Sequence, residues 1–456
     1  MILFLRRTLG LLILLLTLAF VAFPLGKTSW YLLTDRGLRS AAPSTFAFSL
    51  HESLSERLPD YVDRRIASGV AETLNIGQIT ATEFPVYGAY FYLLATDHLQ
   101  AQWEADPSLA GRAPKETGAE AIEACARILL DLGHAHWIRT YWGDDYWQDP
   151  NCFFRTLVIG GLASHRRLTG SDEHLPLLQQ LTDDLAADLD ASATGLIDDY
   201  PDQCFPADVV ACLAMIRRAD PSRDEWAKAA FHRVLANFPG ELPPYMSDSD
   251  DGAALGPSRG CTNGFFFSYA REIDAAVADP LYQKLLDGFW QEGAWAAGWR
   301  EFPRGSKHPE WYIDPDSGPV LWGFGTGSTG LGIGSTRLHG DHHRAGLLGA
   351  EMIAGGIPLL DGSLLLPRLV SDLEHAPHFA ETAILHQLSL SGGGEPSGKA
   401  PLTLAVWLIL GIELLFAVLL LRLVRYLIGS GRKATPEASP GTVGPQTGSN
   451  DPSLPV

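Results

Sequence analysis

The chain has 456 residues, of which 46% are hydrophobic and 19% are charged, and its formal net charge is −19 at pH 7. A chain this acidic lacks the basic surface that nucleic acid or anionic lipid requires, so we expect neither as a partner. Five cysteines are too few for a disulfide framework, and no CxxC or paired His/Cys spacing indicates structural zinc. The composition therefore predicts a large folded protein with no metal or other cofactor.

Two long apolar runs lie near the ends of the chain, at residues 8–26 and 401–424. Each is close to the roughly 20 apolar residues that a helix needs to cross the hydrocarbon core of a bilayer. Arg6 and Arg7 precede the first run, and basic residues also follow the second. Since basic flanking residues stay in the cytoplasm, the pattern predicts two transmembrane helices with both chain termini cytoplasmic.

This topology divides the chain into a cytoplasmic N-terminus at residues 1–7, an extracytoplasmic domain at 27–400 and a cytoplasmic tail at 425–456. Of the net charge of −19, the first 26 residues carry +2 and residues 401–456 carry +1, which leaves −22 for the external domain. The tail is rich in Gly, Pro, Ser and Thr, a composition typical of disorder. The expected location is the inner or plasma membrane of the cell.

Both apolar runs allow a second interpretation. The first could be a cleaved signal peptide, but no A-x-A-like site follows it, which favours an uncleaved anchor. The second contains Glu413 near its middle. A carboxylate at that depth is costly when charged, so Glu413 should be protonated or contact a partner helix. An acid that is merely tolerated in a Leu-rich span is an equally good explanation.

The segment between the runs has the periodicity of helices. Apolar residues recur at helical spacing in Ala119–Gly133, and the segments between such patterns contain Pro and Gly. The same pattern predicts six further helices: Phe153–Arg167, Leu175–Leu189, Asp208–Arg218, Glu225–Asn237, Pro280–Trp290 and His343–Ala354. No alternating runs predict a large sheet. Roughly twelve such helices fit between the two spans, so we predict one all-α domain, a closed ring of helical hairpins.

Four loops that precede alternate helices concentrate acids, aromatic residues and glycines: residues 141–151, 198–208, 256–264 and 299–319. In a ring of hairpins such loops converge over a central cavity, where ligands bind. The first loop combines aromatic faces with carboxylates, the mixture that binds sugars, and its candidate substrate-binding residues are Trp142, Asp145, Tyr146, Trp147 and Asp149. An alternative role for Asp149 is to cap the next helix, with Pro150 at the first helical position.

The other loops supply candidate acid–base groups, because glycoside cleavage usually needs two carboxyl groups across the scissile bond. The candidate catalytic residues are Asp199, Asp208, Glu301 and Asp316. The remaining candidates for substrate binding are Tyr200, Cys204, Arg259, Arg304 and Tyr312. Simpler roles stay open: Asp208 as a helix cap, Cys204 as a packed thiol, and the two arginines as partners of the acids.

Residues 142–210 resemble the linalool dehydratase/isomerase family of (α/α)6 barrels. The shared features are a Trp-Gly-Asp loop, a helix ending in Leu-Thr-Gly, a second helix and a turn rich in Asp, Pro and aromatic residues. The resemblance implies the barrel fold. The family's catalytic His falls where this chain has Phe153 to Thr156, and its two cysteines fall at Asp198 and at Ala207 or Asp208.

These patterns predict a membrane-anchored enzyme that processes a hydroxylated substrate, such as a cell-envelope glycan, by acid–base chemistry of the glycosidase, lyase or epimerase type. One alternative is a dehydratase/isomerase that acts on a small alcohol. The other is a non-catalytic binding or scaffold module of the envelope.

Overall fold

The computed structural model describes residues 2–314, 317–392 and 400–429, and this part of the chain is mostly helical. In chain order its α-helices are α1 (Ile2–Thr17), α2 (Phe23–Thr34), α3 (Thr45–Ala67), α4 (Ile79–Thr82), α5 (Phe84–Ala105), α6 (Pro114–Thr117), α7 (Ala119–Leu130), α8 (His136–Trp142), α9 (Cys152–Thr169), α10 (Leu175–Ala191), α11 (Pro206–Ala219), α12 (Asp224–Ala236), α13 (Gly260–Phe267), α14 (Ala270–Ile273), α15 (Ala275–Phe289), α16 (Thr326–Leu338), α17 (His342–Gly356), α18 (Leu365–Val370), α19 (Phe379–Ser389) and α20 (Leu404–Gly429).

Two small antiparallel sheets lie between α15 and α16. Their strands are β1 (Trp290–Glu292), β2 (Ala297–Trp299), β3 (Trp311–Asp314), β4 (Gly318–Leu321) and β5 (Phe324–Gly325). Strands β1 and β2 form one hairpin with Trp290 opposite Trp299. Strands β3, β4 and β5 form the second sheet, in which Tyr312 lies opposite Val320. The described residues contain no larger sheet.

Two helices are long and apolar enough to cross a membrane, Phe4–Thr34 and Leu404–Gly429. The first is continuous because a π-helical turn at Leu18–Ala22 joins α1 to α2. Pro24 follows that turn, and its ring would clash with the carbonyl one turn earlier in a regular α-helix. The wider turn accommodates the proline without breaking the helix. The helix therefore continues past Gly26, where the sequence pattern had placed the end of the span.

These two long apolar helices, which we call the spanning helices for their length, pack against each other in antiparallel orientation. A Cβ atom added at Gly10 would lie 2.8 Å from the Ile428 side chain, so the glycine allows close approach. The Arg6 guanidinium lies 5.2 Å from the centre of the Tyr426 ring. The beginning of the first span and the end of the second therefore lie at the same end of the helix pair.

Six helices of the main body contact one another in a cycle. Helix α5 contacts α9, and the series continues through α11, α13, α16 and α19, which returns to α5. We call these six the inner helices. Phe84 and Phe379, the first residues of α5 and α19, stack with ring centres 3.8 Å apart. A Cβ atom at Gly160 of α9 would lie 2.5 Å from Met215 of α11 and 2.6 Å from Tyr90 of α5, so a glycine is required at this contact.

A second set of helices, which we call the outer set, packs against the inner helices. Helices α3 and α7 contact α19 and α5, α10 and α12 contact α11, α15 contacts α13, and α17 contacts α16. Helix α17 also contacts α2 and α20, so it joins the body to both spanning helices.

All seven predicted helices are present, with ends that differ by a few residues. One start is wrong: Pro280 lies inside α15, because the Asp274 side chain caps the helix earlier by accepting a hydrogen bond from the Ala276 amide at 3.0 Å.

Candidate functional site

The loops before the inner helices meet at one end of the body. The Tyr200 hydroxyl, before α11, donates to Glu83 Oε2 beside α5 at 2.9 Å. The Cys152 amide at the start of α9 donates to the Asp198 carbonyl at 2.9 Å. The Gly260 amide at the start of α13 donates at 2.8 Å to the carbonyl of Glu301, in the loop that leads to α16. Loop residues that are distant in the sequence are therefore neighbours in space.

An acidic cluster forms where α5 and α11 begin, and it consists of Glu83, Asp199, Tyr200 and Asp208. Asp199 is fully buried, and its Oδ2 accepts a hydrogen bond from the Phe205 amide at 2.8 Å. Asp208 lies in the first turn of α11, deep in the protein, yet it retains accessible surface. Asp208 is therefore the more accessible residue of this pair.

Burial dominates the electrostatics of this cluster. It raises the pKa of Asp208 to about 7. Burial, and then the negative charge of Asp208, raise the pKa of Asp199 well above its usual range. Burial and the charge of Glu83 likewise raise the pKa of Tyr200. The two aspartates therefore keep at least one proton between them near neutral pH. A protonated carboxyl can donate a proton, and an ionised carboxylate can accept one.

Aromatic side chains lie near the acidic cluster. The Tyr87 ring of α5 lies edge-on to Phe153 of α9 at 5.2 Å and to Phe265 of α13 at 5.9 Å. Burial, and then the charge of Asp208, raise the pKa of the Tyr87 hydroxyl well above its usual range. The Trp142 indole donates to the Asp199 carbonyl at 3.3 Å. Three inner helices thus contribute to one aromatic wall.

An arginine cluster lies at the start of α13 and consists of Arg259, Cys261, Glu301, Tyr312 and Asp314. Arg259 Nε donates to Glu301 Oε1 at 2.6 Å, and Nη2 lies 2.8 Å from Asp314 Oδ2. Glu301 is fully buried, and it also accepts hydrogen bonds from the Cys261 thiol at 3.2 Å and from a serine of α16. Since both of its oxygens are engaged, Glu301 holds the guanidinium in place.

The Tyr245 ring connects the two clusters. Its centre lies 6.1 Å from the Phe205 ring, next to the acidic cluster, and 5.5 Å from the Arg259 guanidinium carbon. In the arginine cluster, Tyr312 has a buried hydroxyl without a hydrogen-bond partner among the described residues. Burial, and then the charge of Glu301, raise its pKa to about 12. The clusters therefore form one polar region with aromatic side chains between them.

Some predicted site residues lie elsewhere. Asp145 is exposed, and Arg304 is an exposed side chain that donates to the Trp290 carbonyl. Tyr146 is buried, and Trp147 packs against Phe154 with ring centres 5.4 Å apart. The structure gives these four residues no contact with either cluster among its described hydrogen bonds, ion pairs and ring contacts.

Asp149 is not the cap of α9, because that helix begins at Cys152 and Asn151 takes the cap position. The Asp149 carbonyl instead accepts a hydrogen bond from the buried Arg155 at 2.9 Å, which holds the first loop against the helix. Cys204 is fully buried, and burial and then the charge of Asp199 raise the pKa of its thiol well above its usual range. It is therefore a packed thiol. Asp316 lies outside the described residues.

The sequence pattern missed Glu83 and Tyr87, which the structure places in or beside the acidic cluster. Both belong to Glu83-Phe84-Pro85-Val86-Tyr87, at the start of a helix that the periodicity did not reveal. An acid directly before a helix with Pro in its first turn is the signal that could have identified this fifth loop.

No protein-family model matches the chain, and a search of curated proteins finds no match. Among residues 2–314, 317–392 and 400–429, no group of three or more His, Cys, Asp or Glu side chains could hold a metal ion.

Proposed function

We propose that this protein is a membrane-anchored enzyme whose extracytoplasmic domain performs acid–base chemistry on a hydroxylated substrate, such as a cell-envelope glycan. The pair of Asp199 and Asp208 carries the proposal. Two close carboxyls with raised pKa values, one of them accessible at a pKa of about 7, are the usual arrangement for proton transfer near neutral pH.

In this proposal the six inner helices and the outer set form an (α/α)6 barrel, as the resemblance of residues 142–210 implies. The cyclic contacts of the inner helices support this fold. The antiparallel packing of the two spans supports a topology in which both termini are cytoplasmic and the body is outside.

The residues have distinct roles in this proposal. Asp208 donates a proton to a substrate oxygen or accepts one from a hydroxyl. Asp199, fully buried, positions the loop and keeps the proton affinity of the pair high. Tyr200, whose hydroxyl bonds to Glu83, and Trp142 offer aromatic surface to a sugar ring. Arg259, held by Glu301 and Asp314, binds an anionic or hydroxyl group of the substrate.

The aromatic wall favours a second candidate, a dehydratase/isomerase of a small alcohol. Tyr87, Phe153 and Phe265 present apolar surface beside Asp208, and an apolar enclosure suits a hydrocarbon chain better than a glycan. The same carboxyl would protonate the leaving hydroxyl group and then remove a proton from the neighbouring carbon.

The test is to incubate the full-length protein in detergent with cell-envelope oligosaccharides and, separately, with small allylic alcohols, and to identify products by mass spectrometry. The wild type and Asp145→Asn, a control in an exposed loop, should give product from one panel. Asp208→Asn should give none, because the amide keeps the shape of the side chain and loses the proton.

The panel that yields product decides between the two enzyme classes. Product formation by Asp208→Asn at the wild-type rate would overturn the acid–base assignment. A lack of product from both panels would favour a binding module of the envelope over an enzyme.

A further inference from the structure

An exposed apolar surface lies on the strands between α15 and α16. We call it the hairpin patch, and it consists of Trp295, Trp311, Ile313, Leu321 and Trp322. Ile313 is 82% exposed and Trp295 is 50% exposed, and the rings of Trp311 and Trp322 pack edge-on at 4.3 Å. Large exposed apolar surfaces in a folded protein mark contacts with a partner or a membrane.

The hairpin patch is tied directly to the second spanning helix. The Leu404 amide donates to the Ala294 carbonyl at 3.0 Å, and the Ala405 amide donates to the Trp295 carbonyl at 2.8 Å. The patch therefore lies beside the first residues of α20.

A second exposed apolar surface lies around α18. We call it the helix patch, and it consists of Leu360, Leu366, Leu369, Val370 and Leu373. Helix α18 contacts α17, which contacts both spanning helices. The two patches thus lie on the part of the body that joins the spans.

The spanning helices indicate the level of the membrane surface. Trp30 and Trp407 are both exposed, as aromatic residues at the headgroup level are. At 1.5 Å per residue, Trp30 lies about 36 Å along the helix from Arg6, and Trp407 lies about 27 Å from Arg425. These lengths bracket the hydrocarbon thickness of roughly 30 Å. The Trp295 carbonyl accepts a hydrogen bond from Ala405, which is two residues before Trp407. Trp295 is therefore near the headgroup level.

A cavity of about 470 Å³ lies within the hairpin patch, and none of its wall residues belongs to the acidic or the arginine cluster. Its walls include Trp295, Trp322 and Phe324, with Gln291 and Glu292 as its polar residues. An apolar cavity with a few polar groups at this level can take part of a lipid molecule.

We propose that the hairpin patch and the helix patch rest on the outer lipid surface, so that the body lies against the membrane and does not stand away from it on its spans. This goes beyond the proposed function and holds for any chemistry at the site. The two patches are apolar, and the external domain carries a net charge of −22, which disfavours anionic lipid. The contact therefore suits zwitterionic lipid.

The experiment places a fluorophore on each patch of the full-length protein in phosphatidylcholine vesicles. Ile313→Cys and Leu369→Cys introduce exposed thiols, and Glu225→Cys on α12 is the matched control, since α12 packs on α11, across the ring from α19. All five native cysteines are buried, so labelling is confined to the introduced site. Vesicles with and without a lipid that carries a nitroxide near the headgroup end of its chain are compared.

The labels at positions 313 and 369 should lose most of their emission in the nitroxide vesicles, while the label at position 225 keeps its emission. Quenching of neither patch label beyond the control would overturn the proposal, and would point to a protein partner or a second copy on these surfaces. Quenching at only one position would overturn the proposal for the other patch.

Discussion

Replacing Asp208 with asparagine should stabilise the protein, and more so at pH 8 than at pH 5. Burial raises the pKa of this carboxyl from 3.8 to about 7 in the folded state. The folded protein therefore holds a proton that the unfolded chain releases, and the free energy of unfolding falls as the pH rises from about 4 to about 7. Asparagine keeps the shape of the side chain and does not titrate, so the variant lacks this loss.

The size of the gain in stability follows from the change in the pKa of Asp208 on folding. Each pKa unit corresponds to about 1.4 kcal/mol, so the variant should gain about 3 kcal/mol on the wild type between pH 5 and pH 8, and almost nothing further above pH 8. A chain of this length unfolds with an entropy of about 0.9 kcal/mol/K, so the gain amounts to about 3 °C in Tm. Thermal unfolding of the full chain in detergent, followed by tryptophan fluorescence, measures the difference.

Asp145→Asn is the control, because its carboxyl is exposed and its replacement should change Tm equally at both pH values. A difference in Tm between Asp208→Asn and the wild type that is the same at pH 5 and pH 8, or smaller at pH 8, would show that Asp208 does not hold a proton in the folded protein near neutral pH.

Two further predictions concern packing. Arg259→Met should lower the free energy of unfolding by about 3–5 kcal/mol, because it leaves the buried carboxylate of Glu301 without its cation. The control Arg166→Met breaks an exposed ion pair and should cost at most about 1 kcal/mol. Equal losses for the two variants in denaturant unfolding would contradict the stabilising role of the Arg259–Glu301 pair. Gly160→Ala should destabilise the packing of the inner helices by about 1–3 kcal/mol. The control Gly330→Ala, whose added Cβ meets open space, should be neutral or stabilising by up to about 1 kcal/mol. The same change in Tm for both variants would refute the close approach of the inner helices at Gly160.

The sequence predicted the helices that have one polar face and missed those without one. Helix α7 alternates buried and exposed positions at helical spacing, so its pattern is visible in the letters. Helix α5 is different: every residue from Tyr90 to Ala95 is fully buried. A helix that is enclosed on all sides has no apolar stripe to detect. The site residues at its start were missed for the same reason.

The acidic loops were predictable, but the roles of their members were not. Composition places Asp199 and Asp208 in one loop and makes both of them candidate catalytic residues. Which carboxyl is accessible depends on how the first turn of α11 faces the interior, and this is set by packing against neighbouring helices. Arg259 and Arg304 look alike in sequence, yet one is buried among acids and the other lies at the surface. Loop residues distant in the chain decide such differences.

The cycle of inner helices has a consequence for biosynthesis. Phe84 of α5 stacks on Phe379 of α19, so the last inner helix fills the place beside the first. During translation α5, with its fully buried Tyr90–Ala95 segment, is made long before its neighbour α19, and contacts across such a long stretch of chain form slowly. The first half of the body therefore keeps apolar surface exposed until α19 has been made. We expect it to need a holding chaperone during that time.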